Sequence, residues 1–380
     1  MKVLINALSA RQGGGQTYLR NLLDFLPQDA AVRVFVLAPE SLELPQAANI
    51  TRVNVNWPLD NPYVRALWEK TRLAALARRL GADVLFCPGG IIGTRAPRGC
   101  STVTMFRNMI PFDMKQRRRY PLGYQRLRNW ILEKVMLNSM QGADLVIFIS
   151  SFARRVIEQR ALSPLKSSVT IPHGINAQFR AVPETQPARP AWLPPENYFL
   201  YVSTLDYYKA QLEVVRGFAL LREKRAGREK LILAGPQNAA YAAAVRAEVS
   251  RLGLDNEVMI PGMVPYLELP AVYYHALINI FASESENCPN ILLEALAAGR
   301  PIVCSDREPM PEFGGDAVLY FDPASPGELA RQLMTVLDDA GLQSQLAAKA
   351  LMRARLYDWR NTAQLTWAAL AGLKSQRVNP

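Results

Sequence analysis

Two carboxylates, Glu286 and Glu294, stand eight residues apart around the start of an apolar helical pattern. The stretch leaves a strand through the polar loop Ser283-Glu284-Ser285-Glu286-Asn287-Cys288 and enters Pro289-Asn290-Ile291-Leu292-Leu293-Glu294 as a helix. A second buried strand follows at Pro301-Ile302-Val303. The first amides of a helix have no intrahelical acceptor, and together with the helix dipole they favour an anion such as phosphate. Glu294, well inside the helix, cannot serve that phosphate but can accept hydrogen bonds from ribose or sugar hydroxyls. One carboxylate on each side of a phosphate site suits a nucleotide-sugar. The plainer alternative is an amphipathic surface helix, because Glu pairs at this spacing are common.

A second group is Gly13-Gly14-Gly15, between an apolar strand pattern and a helical one. Three glycines let the backbone approach a ligand closely and adopt positive φ. The spacing is not G-x-G-x-x-G, so it is no dinucleotide fingerprint. A tight turn without a ligand is the alternative.

The 283–303 stretch, with Gly262 to Tyr273 before it and Phe321-Asp322-Pro323 after it, resembles the E-x7-E signature of glycosyltransferase family 4, retaining enzymes of the GT-B fold. The resemblance implies two Rossmann-like, doubly wound parallel-sheet lobes facing across a cleft, with the nucleotide-sugar donor in the C-terminal lobe. By the match, Glu294 takes the ribose hydroxyls, Glu286 the sugar hydroxyls, and the amides of Asn290 and Ile291 the phosphates, with Val264 near the base. Pro289 lacks an N–H. Gly14 and Gly15 stand where the family faces the donor phosphate and the acceptor. In Tyr201-Val202-Ser203-Thr204-Leu205-Asp206-Tyr207-Tyr208-Lys209, Lys209 matches a lysine that neutralises the donor diphosphate. Thr204 occupies the place of the family arginine, which leaves the site one cation short, and burying uncompensated charge is costly. Arg107 and Asn108 stand where many members have a His-Asp pair. Arg107 is a candidate for the missing charge, for contact with an anionic acceptor, or for an ordinary surface position.

The catalytic candidates are therefore Glu286, Lys209 and Arg107. The resemblance implies retention by front-face attack, in which the leaving phosphate assists deprotonation and the protein positions the substrates and stabilises the departing diphosphate. No D-x-D triplet occurs. The expectation is a metal-independent hexosyltransferase with no cofactor apart from its donor substrate. His173, beside Pro172 and Gly174, reads as structural. Two other readings stand beside this one: a relative of the same fold such as a nucleotide-sugar epimerase, and an inactive glycan- or nucleic-acid-binding protein. Thr204 is the only feature that favours the latter.

These residues need a scaffold. The chain has 380 residues, enough for two domains with separate cores. Alternating apolar strands and helical patterns imply doubly wound parallel sheets. The strands are expected at 3–8, 32–37, 83–87, 101–106, 144–149 and 169–171, then at 198–204, 231–234, 258–260, 278–281 and 302–304. Five prolines between 181 and 196 read as a linker. The expected division is an acceptor-binding lobe at 1–180, the linker at 181–196, a nucleotide-sugar-binding lobe at 197–358, and a helix at 359–380 that returns to the first lobe, as family members often have.

Charge separates the halves. Residues 1–180 hold 25 Lys and Arg against 11 Asp and Glu, a net of +14, and the remainder carries −3. An anionic partner of the first half follows, either a membrane surface or a polyanion. The segment 113–134 concentrates Lys115, Arg117, Arg118, Arg119, Arg126, Arg128 and Lys134, with Tyr120, Tyr124, Leu127 and Trp130 interleaved. Basic groups beside aromatics suit an anionic bilayer; a nucleic-acid patch and a solvated helix face are the alternatives. The basic first half favours a lipid-linked glycan acceptor in bacterial surface-polysaccharide assembly (O-antigen, capsule or exopolysaccharide), with no nucleic acid as partner. Cys87, Cys100, Cys288 and Cys304 show no metal-ligand spacing and read as reduced thiols, and no apolar run reaches the length of a bilayer span. The expected place is cytoplasmic, peripherally attached to the inner face of the membrane.

Overall fold

The computed structural model describes residues 1–11, 13–27, 32–119, 123–180 and 186–378, with side chains described as far as Leu373. The chain divides into two compact units: Met1–Gly174 with Trp359–Pro380, and Ile175–Asp358.

The first unit is built on a parallel sheet of seven strands: β1 (Lys2–Asn6), β2 (Arg33–Leu37), β3 (Ile50–Arg52), β4 (Val84–Cys87), β5 (Ser101–Phe106), β6 (Leu145–Phe148) and β7 (Ser168–Thr170). Their spatial order is β3-β2-β1-β4-β5-β6-β7. Val3 pairs with Val34 on one side and with Val84 on the other. Strands covered on both faces must be apolar throughout, which is why Val3, Leu4 and Ile5, or Leu145 to Phe148, read as unbroken runs. Local chemistry sets the helix ends. The Asn61 side chain accepts from the amides of Tyr63 and Val64 at the start of the Pro62–Leu80 helix, and Gly81 closes that helix at φ 61°.

The helix Trp359–Val378 belongs to this first unit. Trp359, Ala363, Trp367 and Leu370 recur at helical spacing and are buried. Trp367 Nε1 donates to the Leu22 carbonyl at 3.0 Å, and Thr362 Oγ1 donates to the Pro172 carbonyl at 2.8 Å. His173 is buried between Tyr18 and Trp359, with ring centroids 5.6 and 5.2 Å away.

The second unit holds a parallel sheet of six strands: β8 (Tyr198–Val202), β9 (Lys230–Ala234), β10 (Val258–Gly262), β11 (Ile278–Phe281), β12 (Ile302–Ser305) and β13 (Leu319–Phe321). Their order is β10-β9-β8-β11-β12-β13. Of the Pro-rich stretch, Pro183 lies outside the described residues. Its later part belongs to the second unit, where Trp192 Nε1 donates to Glu268 at 2.8 Å and the Pro187 carbonyl lies 2.8 Å from His275 Nε2. The boundary between units falls at Gly174–Ile175, ahead of the prolines.

In both sheets the chain starts in the middle and builds outward in two directions. The reversal falls between β1 and β4 in the first sheet and between β8 and β11 in the second. Open α/β sheets bind ligands outside the carboxyl ends of the strands at such a reversal.

Candidate active site

In the second unit, the loops that leave β8 and β11 carry the residues picked out from sequence. After β8 the chain makes a short helical turn, Tyr207–Lys209, opened by the Asp206 carboxylate accepting from the Tyr207 amide at 2.7 Å. The Tyr201 hydroxyl donates to the Lys209 carbonyl at 2.9 Å. Gln211 Nε2 donates to the Thr204 carbonyl at 3.0 Å. Ala210 is held at φ 54°, ψ 35°, a left-handed conformation that costs a non-glycine residue about 1–2 kcal/mol. It lets the chain enter the Gln211–Lys224 helix directly after Lys209. Gly235, at the exit of β9, is required by packing, since a Cβ there would lie 2.2 Å from the Ser203 carbonyl oxygen.

Lys209 is 5% exposed, and its ammonium group pairs with the Glu286 carboxylate. The cation also lies 4.9 Å from the Tyr208 ring centroid and 5.8 Å from that of Phe281. The loop after β11 is polar yet buried, with Ser283, Glu284, Ser285 and Asn287 all shielded. It is fastened to the neighbouring loop: the Glu284 amide donates to the Tyr208 carbonyl at 2.8 Å. Lys209 is the residue expected at the diphosphate and Glu286 the one expected at the sugar hydroxyls. The fold brings both to the chain reversal and pairs their charges.

The helix Asn290–Ala297 starts next to Glu286, with Pro289 at its N-cap and no side-chain cap. The Asn290 amide donates to the Cys288 carbonyl at 2.9 Å, so the tight turn at Pro289 engages one of the two amides expected to hold phosphate. Among the described residues the Ile291 and Leu292 amides have no protein acceptor, as expected for the first turn of a helix. Glu294 lies one turn further in. Its carboxylate accepts from the Tyr273 hydroxyl at 3.3 Å, and burial pushes its pKa up to about 8. Tyr273 was missed as its partner. No periodicity links residues this far apart in sequence, and only the packing of the Leu269–Tyr274 helix against the Asn290–Ala297 helix brings them together. Val264 is buried in the loop that leaves β10, on the same carboxyl edge of the sheet.

In the first unit, Gly14 and Gly15 open the Gly14–Asp24 helix behind Gly13, which sits at φ 61°. Arg107 leaves β5 and reaches back over the Tyr18 ring, 5.9 Å from its centroid. A Cβ on Gly15 would lie 3.3 Å from its Nη1. The guanidinium thus rests against the glycine turn, and the missing side chain of Gly15 gives it room.

The basic segment needs correcting at one position. Arg117 does not face outward: it pairs with Glu133 at 2.6 Å and donates to the Pro111 carbonyl at 3.1 Å, while Arg160 reaches the same Glu133 at 3.2 Å. A half-buried carboxylate on the next helix captures it, which removes it from any membrane-facing set. Arg126 is partly buried and donates to the Arg118 carbonyl. Arg118, Arg119 and Arg128 are exposed, and Tyr120 lies outside the described residues. On the Tyr124–Gly142 helix, Tyr124, Leu127, Trp130, Ile131 and Val135 are exposed, and Lys134 lies 4.2 Å from the Trp130 ring. The Tyr124 hydroxyl meets that of Tyr63 at 3.3 Å, and this joins the patch to the exposed Tyr63 and Leu67 of the Pro62–Leu80 helix.

Residues 183–353 match the family model described as glycosyl transferases group 1, and residues 12–179 match the model described as glycosyltransferase family 4. The chain is 26% identical over 242 residues to the O-antigen chain mannosyltransferase B of Escherichia coli; the match covers 62% of each chain, so it spans less than two thirds of that protein. It is 23% identical to the N-acetylgalactosamine-N,N'-diacetylbacillosaminyl-diphospho-undecaprenol 4-alpha-N-acetylgalactosaminyltransferase of Campylobacter jejuni, with 94% of this chain and 96% of that one aligned. Among solved structures it is similar to HepE of Anabaena in complex with UDP-glucose, at a TM-score of 0.74 and 18% identity, covering 98% of this chain and 100% of that one.

Proposed function

Because the chain belongs to the glycosyltransferases of the GT-B fold, we propose that it moves a sugar, with retention and without a metal ion, from a nucleotide-diphosphate donor to a glycan in bacterial surface-polysaccharide assembly. The observation that carries this reading is the Lys209–Glu286 pair at the reversal of the second sheet, beside a helix whose Ile291 and Leu292 amides have no acceptor among the described residues. In this reading the donor diphosphate takes Lys209 and those amides, so that charge developing on the leaving group meets a preorganised cation and dipoles. Glu286, released from Lys209, accepts from the sugar hydroxyls. Glu294 accepts from the ribose. In the first unit, Arg107 supplies positive charge at the glycine turn.

A thermal-shift screen of nucleotide-sugars tests the reading, since a ligand at a hundred times its Kd stabilises the folded state by about 2.7 kcal/mol. At least one nucleotide-sugar is expected to raise the melting temperature and to be hydrolysed slowly without acceptor. A protein that neither shifts with any of them nor turns one over is not this enzyme.

We also propose a lipid-linked acceptor and a peripheral membrane position. The name of the Campylobacter relative includes a diphospho-undecaprenol-linked glycan. Among the described residues, no helix is long and apolar enough to cross a membrane. The supporting feature is the exposed Tyr124, Leu127, Trp130 and Ile131 stripe with Arg118, Arg119 and Arg128 beside it. Each basic group near an anionic bilayer adds about 1 kcal/mol within a Debye length of about 10 Å. The protein is expected to pellet with anionic vesicles at low salt and to come off as salt rises. Changing Arg118, Arg119 and Arg128 to Gln is expected to weaken pelleting by about a hundredfold or more, while donor hydrolysis stays as in wild type. Arg117 is left in place, because its removal would take the nearer of two cations from Glu133 and leave it with Arg160 at 3.2 Å. Vesicle binding equal to wild type in the triple variant would defeat the membrane reading.

A further inference from the structure

Three strand exits on one side of the first sheet border an open cavity of about 720 Å³, in the usual size range for small-ligand sites. Its walls are the loop after β1, residues 37–41 after β2, and residues 52–60 after β3. None of the residues assigned above to donor, acceptor or membrane lines it. The loop after β1, which gives Leu8 and Arg11 to the lining, precedes the glycine turn in the chain.

The chemistry of the lining is specific. Trp57 lines the cavity and is 40% exposed, a large aromatic face left open to solvent. The ring is carried by a fixed turn. The Trp57 amide donates to the Val55 carbonyl at 2.9 Å, and the Leu59 amide donates to the Trp57 carbonyl at 2.7 Å. Val55 and Leu59 on either side pack against the apolar cluster of Leu8, Leu37 and Trp68. The wall after β2 is braced as well: Arg52 donates to the carbonyls of Ala38, Pro39 and Leu42. The same cavity is lined by the exposed residues Asn54, Asn56 and Glu40, which bring two amides and a carboxylate.

The two cations of the lining are already engaged. Arg52 holds those carbonyls, and Arg11 pairs with Asp60 at 3.0 Å and donates to the Leu59 carbonyl at 3.1 Å. The two lining arginines are also matched by the two lining carboxylates, Glu40 and Asp60, so the lining has no net formal charge to attract an anionic ligand. An aromatic face with amides and a carboxylate fits a neutral, polyhydroxylated ligand, whose C–H face stacks on the ring while its hydroxyls donate and accept at the rim.

We propose that this cavity is a subsite for a neutral sugar of the acceptor glycan, at a unit away from the reacting hydroxyl, with Trp57 as its platform. The proposal rests on the glycosyltransferase reading and adds to it where the acceptor chain lies. It makes the enzyme sensitive to acceptor length, because units beyond the first reach a second binding surface.

The test uses the full chain and neutral oligosaccharides of one to four hexose or N-acetylhexosamine units, with inorganic pyrophosphate as the anionic probe. Binding is followed by saturation-transfer NMR, and donor hydrolysis is measured on the same samples. At least one oligosaccharide is expected to bind. Trp57→Ala is expected to weaken that binding about tenfold or more, Trp57→Tyr to keep much of it, and Asn56→Ala to weaken it by a smaller factor. Donor hydrolysis is expected to be unchanged in all three. These side chains lie at the surface, and melting curves equal to wild type will show that the variants fold. Failure of every oligosaccharide to bind, or binding that ignores both Trp57→Ala and Asn56→Ala, overturns the subsite even if the protein hydrolyses donor. Pyrophosphate binding that is lost in Arg11→Gln also overturns it, in favour of an anion site. Trp57-dependent saccharide binding in a protein that hydrolyses no donor would sustain the subsite and overturn the catalytic reading instead.

Discussion

Lys209→Ala is expected to lower donor turnover by about a hundredfold to a thousandfold, the usual loss when one preorganised donor to a developing anion is removed. Lys209 is buried and paired with Glu286, so the change acts on stability too. Removing one partner of a buried pair leaves an uncompensated charge and costs about 3–5 kcal/mol. A loss of activity in Lys209→Ala alone is therefore ambiguous. The double variant Lys209→Met, Glu286→Gln separates the two effects when its turnover is compared with that of Glu286→Gln alone, which keeps the cation. It keeps the volume and removes both charges, a replacement that is often neutral for stability. Denaturant unfolding is expected to place it close to wild type and well above Lys209→Ala, while its donor hydrolysis stays low. Lys209→Arg keeps the charge but not the compact ammonium geometry, and is expected to fall between wild type and Lys209→Ala in turnover. Wild-type hydrolysis by the folded double variant would mean that the diphosphate is held elsewhere.

The architecture was legible because strands buried on both faces announce themselves. Runs such as Val3-Leu4-Ile5, Leu145–Phe148 and Ile278–Phe281 have no polar alternation to confuse them. The two strands that escaped, β3 and β13, are three-residue edges at the far sides of their sheets, and Ile50-Thr51-Arg52 offers a single apolar residue. The pairing of β3 comes from the neighbouring strand and not from its own composition, whereas Leu319-Tyr320-Phe321 is apolar but too short to stand out. The site was legible residue by residue but not as a constellation. Lys209 and Glu286 lie 77 positions apart, and no local period connects them. They meet because β8 and β11 are neighbours at the reversal. The same limit explains Arg117. In sequence it is one member of a basic run, and only the packing of the Met114–Arg119 and Tyr124–Gly142 helices reveals that Glu133 takes it. Trp57 gave no signal either, since an isolated aromatic between Asn56 and Pro58 is unremarkable until three strand exits meet beside it.

Glu294 should make both stability and nucleotide affinity depend on pH, with opposite signs. Burial raises its pKa from the ordinary 4.5 to about 8, and the Tyr273 hydroxyl only partly offsets that. Between these values the folded protein holds a proton that the unfolded chain has lost. Its contribution to stability is therefore complete below about pH 4.5 and declines as pH rises through about 8, by about 1.4 kcal/mol per unit within that window. Glu294→Gln cannot ionise. In the absence of nucleotide it is expected to match wild type near pH 5 and to be the more stable of the two above pH 8. Binding runs the other way. Two ribose hydroxyls that both donate need an ionised carboxylate with acceptor capacity for each. The proton must leave on binding, so nucleotide-sugar affinity is expected to rise with pH, by up to about tenfold per unit, and to level off above about 8. The diphosphate of a nucleotide-sugar does not titrate in this range, which keeps the ligand out of the pH profile. Calorimetry at pH 7 in two buffers of different ionisation enthalpy is expected to count close to one proton released by wild type and none by Glu294→Gln. The variant's affinity should also be weaker by about 1–3 kcal/mol above pH 8, where wild type has its carboxylate. An affinity flat from pH 6 to 9 with no proton released would remove Glu294 from the ribose and leave its burial against Tyr273 as a structural contact.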